Sequence, residues 1–405
     1  MHDANFRPKV LFVAPSFGAS GGEVRALECI ANWYINNSFE EIHVITTKRG
    51  ATILKNRGLH NVKAYTLPII KNEESFFRHL PFLASVIKTT LCTAIIFSMI
   101  KLKIKADLVI ATSHFVHDLL PAVAYSRLTK AALFVWIHHL HPSLHIRLKY
   151  HPFLPSLLAR INDLLSMMVA KKSASMILTY PIMKSRIIDM GVPGYKIEAM
   201  QSGVNSKYIT KIPPSKHTYD ACFLGRIVPL KGIFDLVDIW KTVCSKITDA
   251  KLVLVGEGPL KYVKALKSKI ENNNLSGNMI LKGYLPERQK ISSMKACKLF
   301  VATSHEEGFG ITVIEAMACG LPVVGYDLPA YDIFKDAMIK VPDGDRETFA
   351  NVVLNLLLDD KLRAKLSEKG KTIASQYSWD KIADNEFNIL TQTLRTRQPT
   401  NSKNS

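Results

Sequence analysis

Residues 298–326 read KLFVATSHEEGFGITVIEAMACGLPVVGY, and the rest of the chain can be organised around them. Leu299–Ala302 is an apolar run long enough for a buried strand, and the polar residues Thr303–Gly310 follow it as a loop. Ile311–Cys319 reads as a helix, because Ile311, Ile314, Met317 and Ala318 fall at helical spacing. Gly320 stands where a helix stops, and Pro322 forbids its continuation before the next apolar run, Val323–Val324. Strand, glycine loop, helix and strand in that order set the unsatisfied amides of a helix N-terminus beside the loop, where they favour an anion. Gly308 and Gly310 let the backbone come close to it.

Two carboxylates bracket this loop, Glu307 just before it and Glu315 on the helix. A carboxylate repels a phosphate, so both make sense if the anion carries hydroxyl-rich groups at its two ends. A carboxylate accepts hydrogen bonds from a vicinal diol, and a nucleotide-sugar has that shape: ribose, pyrophosphate, hexose. The pair Glu307 and Glu315 around Gly308-Phe309-Gly310, followed by EAMACGLPVV, resembles the signature of the retaining GT-B glycosyltransferases of family 4. A surface loop feeding an ordinary core helix is the plainer alternative. It leaves the joint occurrence of glycine spacing, acid spacing and helix stop without a reason.

The chain has 405 residues, enough for two or three domains with cores of their own. A 47% hydrophobic and 21% charged composition is that of a globular protein. The six cysteines, at 29, 92, 222, 244, 297 and 319, form no CxxC pair. That pattern speaks for free thiols in a reducing compartment and against a structural zinc site. Met1–Lys9 is polar and Val10–Ala14 too short for the apolar core of a signal peptide, so a cytoplasmic location is expected. In the most apolar stretch, Leu80–Ile100, Lys88 leaves a clean run of only Thr89–Ile100, which predicts a buried or interfacial helix rather than a span.

The formal net charge is +19. Residues 1–205 carry 24 Lys and Arg against 12 Asp and Glu, and eleven of the 13 histidines. The excess points to an anionic partner for that half, a lipid headgroup layer or a phosphorylated acceptor, unless it is merely a soluble basic surface. No nucleic-acid motif is present, and nucleic acid is not expected as a partner. His145–Lys172 mixes Arg147, Lys149, Arg160, Lys171 and Lys172 with Leu, Ile and Met. It reads equally as a membrane-surface helix, which would make the protein peripheral on the cytoplasmic face, and as a helix packed on a sheet.

In the first half, KVLFVAP at Lys9–Pro15 reads as a buried strand, Ser16–Gly22 as a loop ending in Gly21-Gly22, and Glu23–Ile35 as a helix. Further strands are read at Glu41–Thr46, Val62–Leu67, Ala106–Thr112, Ala132–Ile137 and Ser175–Tyr180. Their alternation with helical segments predicts a parallel sheet covered on both faces, with the ligand crevice outside the carboxyl ends of the strands. His114 and His138 each follow a strand directly, with His139 next to the second. His138 is read as a site histidine ahead of a structural one, whereas for His114 and His139 the structural reading comes first. The resemblance implies that His138 faces the donor sugar and acceptor and that Gly21-Gly22 faces the donor phosphate or acceptor; alone, that glycine pair is as well explained by a turn. His141 and His145, four apart, lack an accompanying carboxylate, and Pro142 weakens a helix there, so no metal is read into them.

In the second half, GRIVPLKG follows the strand Tyr219–Leu224 and resembles the GR-x4-KG of the family, in which both cations contact the donor diphosphate. A leaving nucleoside diphosphate gains negative charge as the glycosidic bond breaks, and fixed cations aimed at it stabilise the transition state without a metal. A helix start with two solvated cations is the alternative. Gln201–Asn205 departs from the family's Asn-Gly-Val-Asp, and Asp327–Tyr331 replaces a glycine pair, so no role is carried onto either.

The resulting expectation is an α/β chain of GT-B type, two Rossmann-like domains facing across a cleft. Its parts are an acceptor-side domain at 1–205, a linker at 206–218, a donor-binding domain at 219–380, a helix at 381–396 crossing back to the first domain, and a disordered tail at 397–405. The resemblance implies hexose transfer from a nucleoside diphosphate sugar to a lipid-linked or glycan acceptor with retention of configuration, needing neither metal nor cofactor. It assigns catalytic roles to His138, Arg226, Lys231 and Glu307. Donor contacts fall to Gly21, Gly22, Gly225, Gly308, Phe309, Gly310, Ile311 and Glu315. A sugar-nucleotide epimerase of the same fold and a non-catalytic nucleotide-sugar-binding protein are the rival readings. The Glu307/Glu315 spacing speaks against the first, and the presence of Arg226, Lys231 and Glu307 against the second.

Overall fold

The computed structural model describes residues 6–15, 21–68, 81–141, 144–148 and 153–397. The expected loop residues 16–20 and the tail from 398 onward lie outside these. Residues up to Gln201, together with those from Trp379 onward, form one compact unit, and Ser202–Ser378 form a second.

The first unit is built on seven parallel strands: β1 (Lys9–Val13), β2 (Glu41–Thr46), β3 (Lys63–Thr66), β4 (Leu108–Ala111), β5 (Ala132–Ile137), β6 (Met176–Thr179) and β7 (Ile197–Ala199). They lie in the order β3-β2-β1-β4-β5-β6-β7. The chain winds outward from β1, returns, and winds outward again from β4. The winding therefore reverses between β1 and β4, and in open α/β sheets a ligand crevice lies outside the carboxyl ends of the strands at such a point. The strands β1, β4 and β5 are apolar almost throughout because both faces of the sheet are covered by helices. One face packs Leu11, Val109, Leu133 and Val135 into a core with the helices at 81–101 and 116–129. Helix Pro81–Lys101 contributes Cys92, Ile96 and Met99 to this core, so the most apolar stretch of the sequence is partly a core helix.

On the other face, Phe12 stacks on Trp33 at 6.0 Å and meets Trp136 edge-on at 6.2 Å. Here helix Gly21–Ile35 packs against the last helix, Trp379–Arg397. Trp33 Nε1 donates to the Ala383 carbonyl at 2.8 Å, and Phe39 meets Phe387 edge-on at 5.2 Å. Between the two helices lies a buried ion pair of Arg25 with Glu386. Arg25 also donates from Nε to the Gln201 carbonyl at 2.7 Å and lies over the Trp136 ring at 4.6 Å.

The second unit repeats the plan with six parallel strands: β8 (Tyr219–Leu224), β9 (Leu252–Val255), β10 (Met279–Gly283), β11 (Cys297–Ala302), β12 (Val323–Tyr326) and β13 (Met338–Val341). Their order is β10-β9-β8-β11-β12-β13, so the winding reverses between β8 and β11. Its core gathers Phe223, Leu254, Leu299, Val301 and Val324 against helix Ile233–Cys244 and helix Arg346–Leu358.

The domain limits differ from expectation at three points. The stretch expected as a linker, 206–218, is packed into the second unit. Asn205 caps a short helix, Ser206–Thr210, and Lys295 Nζ donates to the carbonyls of Ile209 and Ile212 at 2.9 and 2.7 Å. The last helix begins at Trp379 rather than 381, and Arg397, expected in the tail, closes it. β13 was not foreseen, since MIKV is short and carries a lysine; pairing with β12 supplies what its own sequence does not.

Removing one partner of a buried ion pair leaves the other charge uncompensated. Glu386→Ala should therefore destabilise the first unit by roughly 3–5 kcal/mol in chemical denaturation. A loss below about 1 kcal/mol, the usual size for a surface pair, would show that the pair does not hold the last helix in place.

Candidate active site

In the second unit, the loops leaving β8 and β11 meet at the point where the winding reverses. Gly232 makes their contact possible. Its φ is +66°, and a Cβ there would lie 1.9 Å from the Thr303 carbonyl oxygen. The Thr303 hydroxyl donates to the Lys231 and Gly232 carbonyls at 3.1 and 3.3 Å, and the His305 amide donates to the Leu230 carbonyl at 3.0 Å. These bonds bring the GRIVPLKG segment alongside the Thr303–Gly310 loop.

The charged groups follow from this contact. Lys231 forms an ion pair with Glu307, and Ser304 donates to the same carboxylate oxygen at 2.9 Å. Arg226 lies exposed, and among the described residues it has neither an ion pair nor a side-chain hydrogen bond. Of the two expected cations, then, one is already matched by a carboxylate and the other stands open to an incoming anion. His305 stacks on Tyr326 at 5.3 Å and lies between Asp235 and Asp343. Burial disfavours its charged form, but these two carboxylates outweigh that and raise its pKa.

Gly310 has φ +89° and begins helix Ile311–Ala318; a Cβ there would approach the Tyr331 ring to 2.8 Å. The Val313 and Ile314 amides bond to the Gly310 carbonyl at 3.0 and 3.2 Å. The Ile311 and Thr312 amides, at the first two helical positions, have no intrahelical acceptor. Gly308 is half-buried beside them, while the Phe309 side chain packs inward against Phe334 and Tyr377. Only backbone contacts are therefore open to Phe309. Gly225 ends β8 with its amide bonded to the Val255 carbonyl at 3.1 Å.

Glu315 lies one turn into the helix and pairs with Lys290 at 2.9 Å; Lys290 also meets Glu287 at 2.8 Å. Burial works against the Lys290 charge, yet the two carboxylates raise its pKa. Lys290 was not singled out in the sequence, because helix Glu287–Lys295 carries no local pattern that marks it. Ser304 was also missed, although its place one residue beyond a strand-end threonine is where such an orienting hydroxyl belongs.

In the first unit, His138 follows β5 and donates from Nε2 to the Thr112 carbonyl at 2.9 Å. That bond fixes the tautomer: Nδ1 carries a lone pair, is buried, and has no hydrogen-bond partner. Burial, reinforced by the Arg25 charge, lowers the His138 pKa to about 3, so the ring is neutral at ordinary pH. Gly22, in the first turn of its helix, passes so close that a Cβ would lie 2.6 Å from the imidazole. Gly21 opens that helix, where the sequence reading had placed the end of a loop.

His114 has a different part. It is buried and hydrogen-bonded at 3.0 Å to Asp163, which also accepts from His141 Nδ1 at 2.9 Å and from the His141 amide at 2.8 Å. His114 and His141 thus clamp the ends of β4 and β5 to helix Phe153–Ser173 and leave His138 as the histidine with an open nitrogen. The carboxylate that the sequence did not offer to His141 comes from a helix about twenty residues later. His139 is exposed.

Residues 205–373, nearly all of the second unit, match the family model of glycosyl transferases group 1. The second unit is therefore a glycosyl transferases group 1 domain, and the chain has the GT-B fold of two Rossmann-like domains. Anabaena HepE, in its complex with UDP and glucose, superposes with a TM-score of 0.75 over 95% of this chain and 100% of its own, at 18% identity. Among curated proteins, the chain is 30% identical over 198 residues to poly(glycerol-phosphate) alpha-glucosyltransferase of Bacillus subtilis (strain 168), covering 47% of this chain and 28% of that one. It is 30% identical over 179 residues to phosphatidyl-myo-inositol mannosyltransferase of Mycobacterium leprae (strain TN), covering 43% of this chain and 46% of that one. The chain thus spans less than half the length of these relatives.

The geometry at His138 yields a direct test. In nitrogen-resolved NMR the ring should appear as the neutral Nε2-protonated tautomer throughout pH 5–8. A titration with a midpoint near the ordinary histidine value of about 6.5 would contradict the buried, donor-locked ring.

Proposed function

We propose that this protein is a glycosyltransferase that moves a hexose from a nucleoside diphosphate sugar to a lipid-linked or glycan acceptor, with retention of configuration and without a metal. The observation that carries the reading is the loop junction of the second unit. There the loop leaving β8, which carries Arg226 and Lys231, is bonded to the loop leaving β11, which carries Glu307 and leads into the free amides of the helix start.

Each group has a task in that reaction. Arg226, Lys231 and the amides of Ile311 and Thr312 hold the diphosphate. Glu307, released from Lys231 when the diphosphate takes its place, accepts hydrogen bonds from hexose hydroxyls. Glu315, oriented by Lys290, accepts from the ribose diol. Gly225, Gly308 and Gly310 let the backbone approach. As the bond between the sugar's anomeric carbon and the diphosphate breaks, its electron pair leaves with the diphosphate. The acceptor oxygen bonds to the anomeric carbon on the same face and passes its proton to the departing phosphate oxygen. Fixed cations stabilise the charge that develops there more than the charge of the ground state, which is what lowers the barrier. To the first unit we assign the acceptor. His138 Nδ1, neutral and unpartnered, receives a hydroxyl hydrogen bond, and Gly22 leaves room for the imidazole itself. The glycosyltransferase reading as a whole is supported by the two curated relatives, named as a glucosyltransferase and a mannosyltransferase.

Replacing Arg226 or Lys231 by Ala should lower kcat by about a hundredfold or more while the fold persists, because each removes a donor aimed at the leaving group. Turnover within a few-fold of the unaltered enzyme in both variants would remove these residues from the mechanism.

A second expectation separates the reaction from its rivals. Incubated with UDP- or GDP-sugars in EDTA, the enzyme should turn over only when acceptor is present. Epimerisation of the donor alone would assign it to the isomerases, and activity that returns only with Mg²⁺ or Mn²⁺ would bring a metal into the reaction.

A further inference from the structure

Helix Phe153–Ser173 is amphipathic in the wrong sense for a core helix. The face turned into the first unit carries Ser156, Asp163 and Ser166, all buried, beside Met167 and Ala170. The face turned outward carries Leu154, Leu158, Ile161, Leu164, Leu165 and Met168, which are 41–63% exposed. Every exposed residue between 153 and 168 is apolar. The row from Leu154 to Met168 runs about 21 Å along one side of the helix, at 1.5 Å per residue. A contiguous apolar strip of that length on an otherwise charged chain marks a surface that meets something.

The charge at its end says what. The turn after the helix gathers five cations: Lys171 and Lys172 at the last turn, Arg127 bonded to Ser173 at 3.3 Å, Lys196 bonded to the carbonyls of Lys171 and Ala174 at 3.2 and 3.1 Å, and Arg397 bonded to Ser175 at 2.7 Å. None of these five forms an ion pair among the described residues. A protein partner would need polar groups along the strip to set its register, since interfaces carry about one hydrogen bond per 100–200 Å². An apolar strip without them, beside a cluster of unpaired cations, fits a bilayer of anionic lipid: acyl chains under the strip, headgroups on the cations.

We infer that helix Phe153–Ser173 lies in the surface of an anionic membrane and docks the first unit there. This helix is long and apolar enough to cross a bilayer. Asp163 decides against crossing. It sits mid-helix, fully buried, and holds His114 and His141 by three hydrogen bonds. A span would tear that carboxylate out of its partners and into hydrocarbon. Lying flat, the helix keeps its polar face on the ends of β4 and β5, close in the fold to His138. Docking rests on the glycosyltransferase reading only for its purpose, the presentation of a lipid-linked acceptor, and not for its occurrence.

The test uses the full chain and vesicles of phosphatidylcholine alone or mixed equally with phosphatidylglycerol. The protein should sediment with the mixed vesicles at low salt and be released as salt rises, because exposed charges are screened beyond about 8–10 Å at physiological ionic strength. Leu158→Glu with Leu165→Glu should weaken that binding about tenfold or more, since both positions would press a charge into the interface. Lys171→Glu with Lys172→Glu should weaken it for the mixed vesicles and not for the neutral ones. As a measurement independent of those variants, Leu165→Trp should shift its emission to the blue on binding and be quenched by brominated acyl chains. Failure to sediment with the mixed vesicles, or sedimentation that the paired leucine substitutions leave unchanged, overturns the proposal. So does a dimer in solution that those substitutions abolish, because the strip would then be a contact between copies of the chain. Nucleoside diphosphate binding, followed by thermal shift on the same samples, reports on the glycosyltransferase reading separately.

Discussion

The carbonyl of Thr303 occupies the space where a side chain at residue 232 would begin, and the chemistry of the second unit depends on that vacancy. With Gly232 in the left-handed region, the β8 loop turns back beneath the β11 loop and Thr303 can bond two of its carbonyls. Any β-carbon there meets both a backbone clash and a strained φ. The loops would have to separate, and Lys231 would move away from Glu307. A rigid junction of two backbones thus sets the position of two opposite charges. Side chains mounted on such a junction lose little further freedom when a ligand arrives.

The charges divide the work of meeting an anion. Arg226 stands open, so in the proposed reaction it would take up a diphosphate at no cost in broken contacts. Lys231 and Glu307 are each about one-sixth exposed and satisfy one another until something better takes the lysine. Breaking such a pair by removing one partner is costly, whereas exchanging a carboxylate for a diphosphate keeps the ammonium satisfied. In the proposed reaction the exchange would also free the carboxylate, which would let a residue that repels phosphate sit beside a phosphate site. Glu315 avoids the same difficulty differently, by keeping Lys290 as a permanent counter-ion.

The first unit is organised by buried polar contacts rather than by exposed charge. Arg25 and Glu386 join the first and last helices, and Asp163 ties helix Phe153–Ser173 to two strand ends. Both use polar groups inside, and each buried charge there is held by an oppositely charged or hydrogen-bonding partner. For Phe153–Ser173 the consequence is that its apolar residues are left on the outside. His138 belongs to the same economy of hydrogen bonds: its Nε2 is spoken for, and its Nδ1 is not.

The sequence by itself determined the two parallel sheets and most of their strands, because runs such as ALFVWI at 132–137 and KLFVA at 298–302 are apolar on both faces and bounded by polar turns. It also determined the glycine loops and the cations of GRIVPLKG, since these are local patterns read within a few residues. Only the tertiary structure decided which side chains meet. Lys290 reaches Glu315 through a crossover helix, Asp163 reaches His114 from 49 positions away, and Glu386 reaches Arg25 from the far end of the chain. Periodicity shows that a helix has two faces but not which one the fold will cover. At residues 153–173 apolar patterning alone would have buried the leucines. Three hydrogen bonds from two histidines to Asp163 turned that helix the other way.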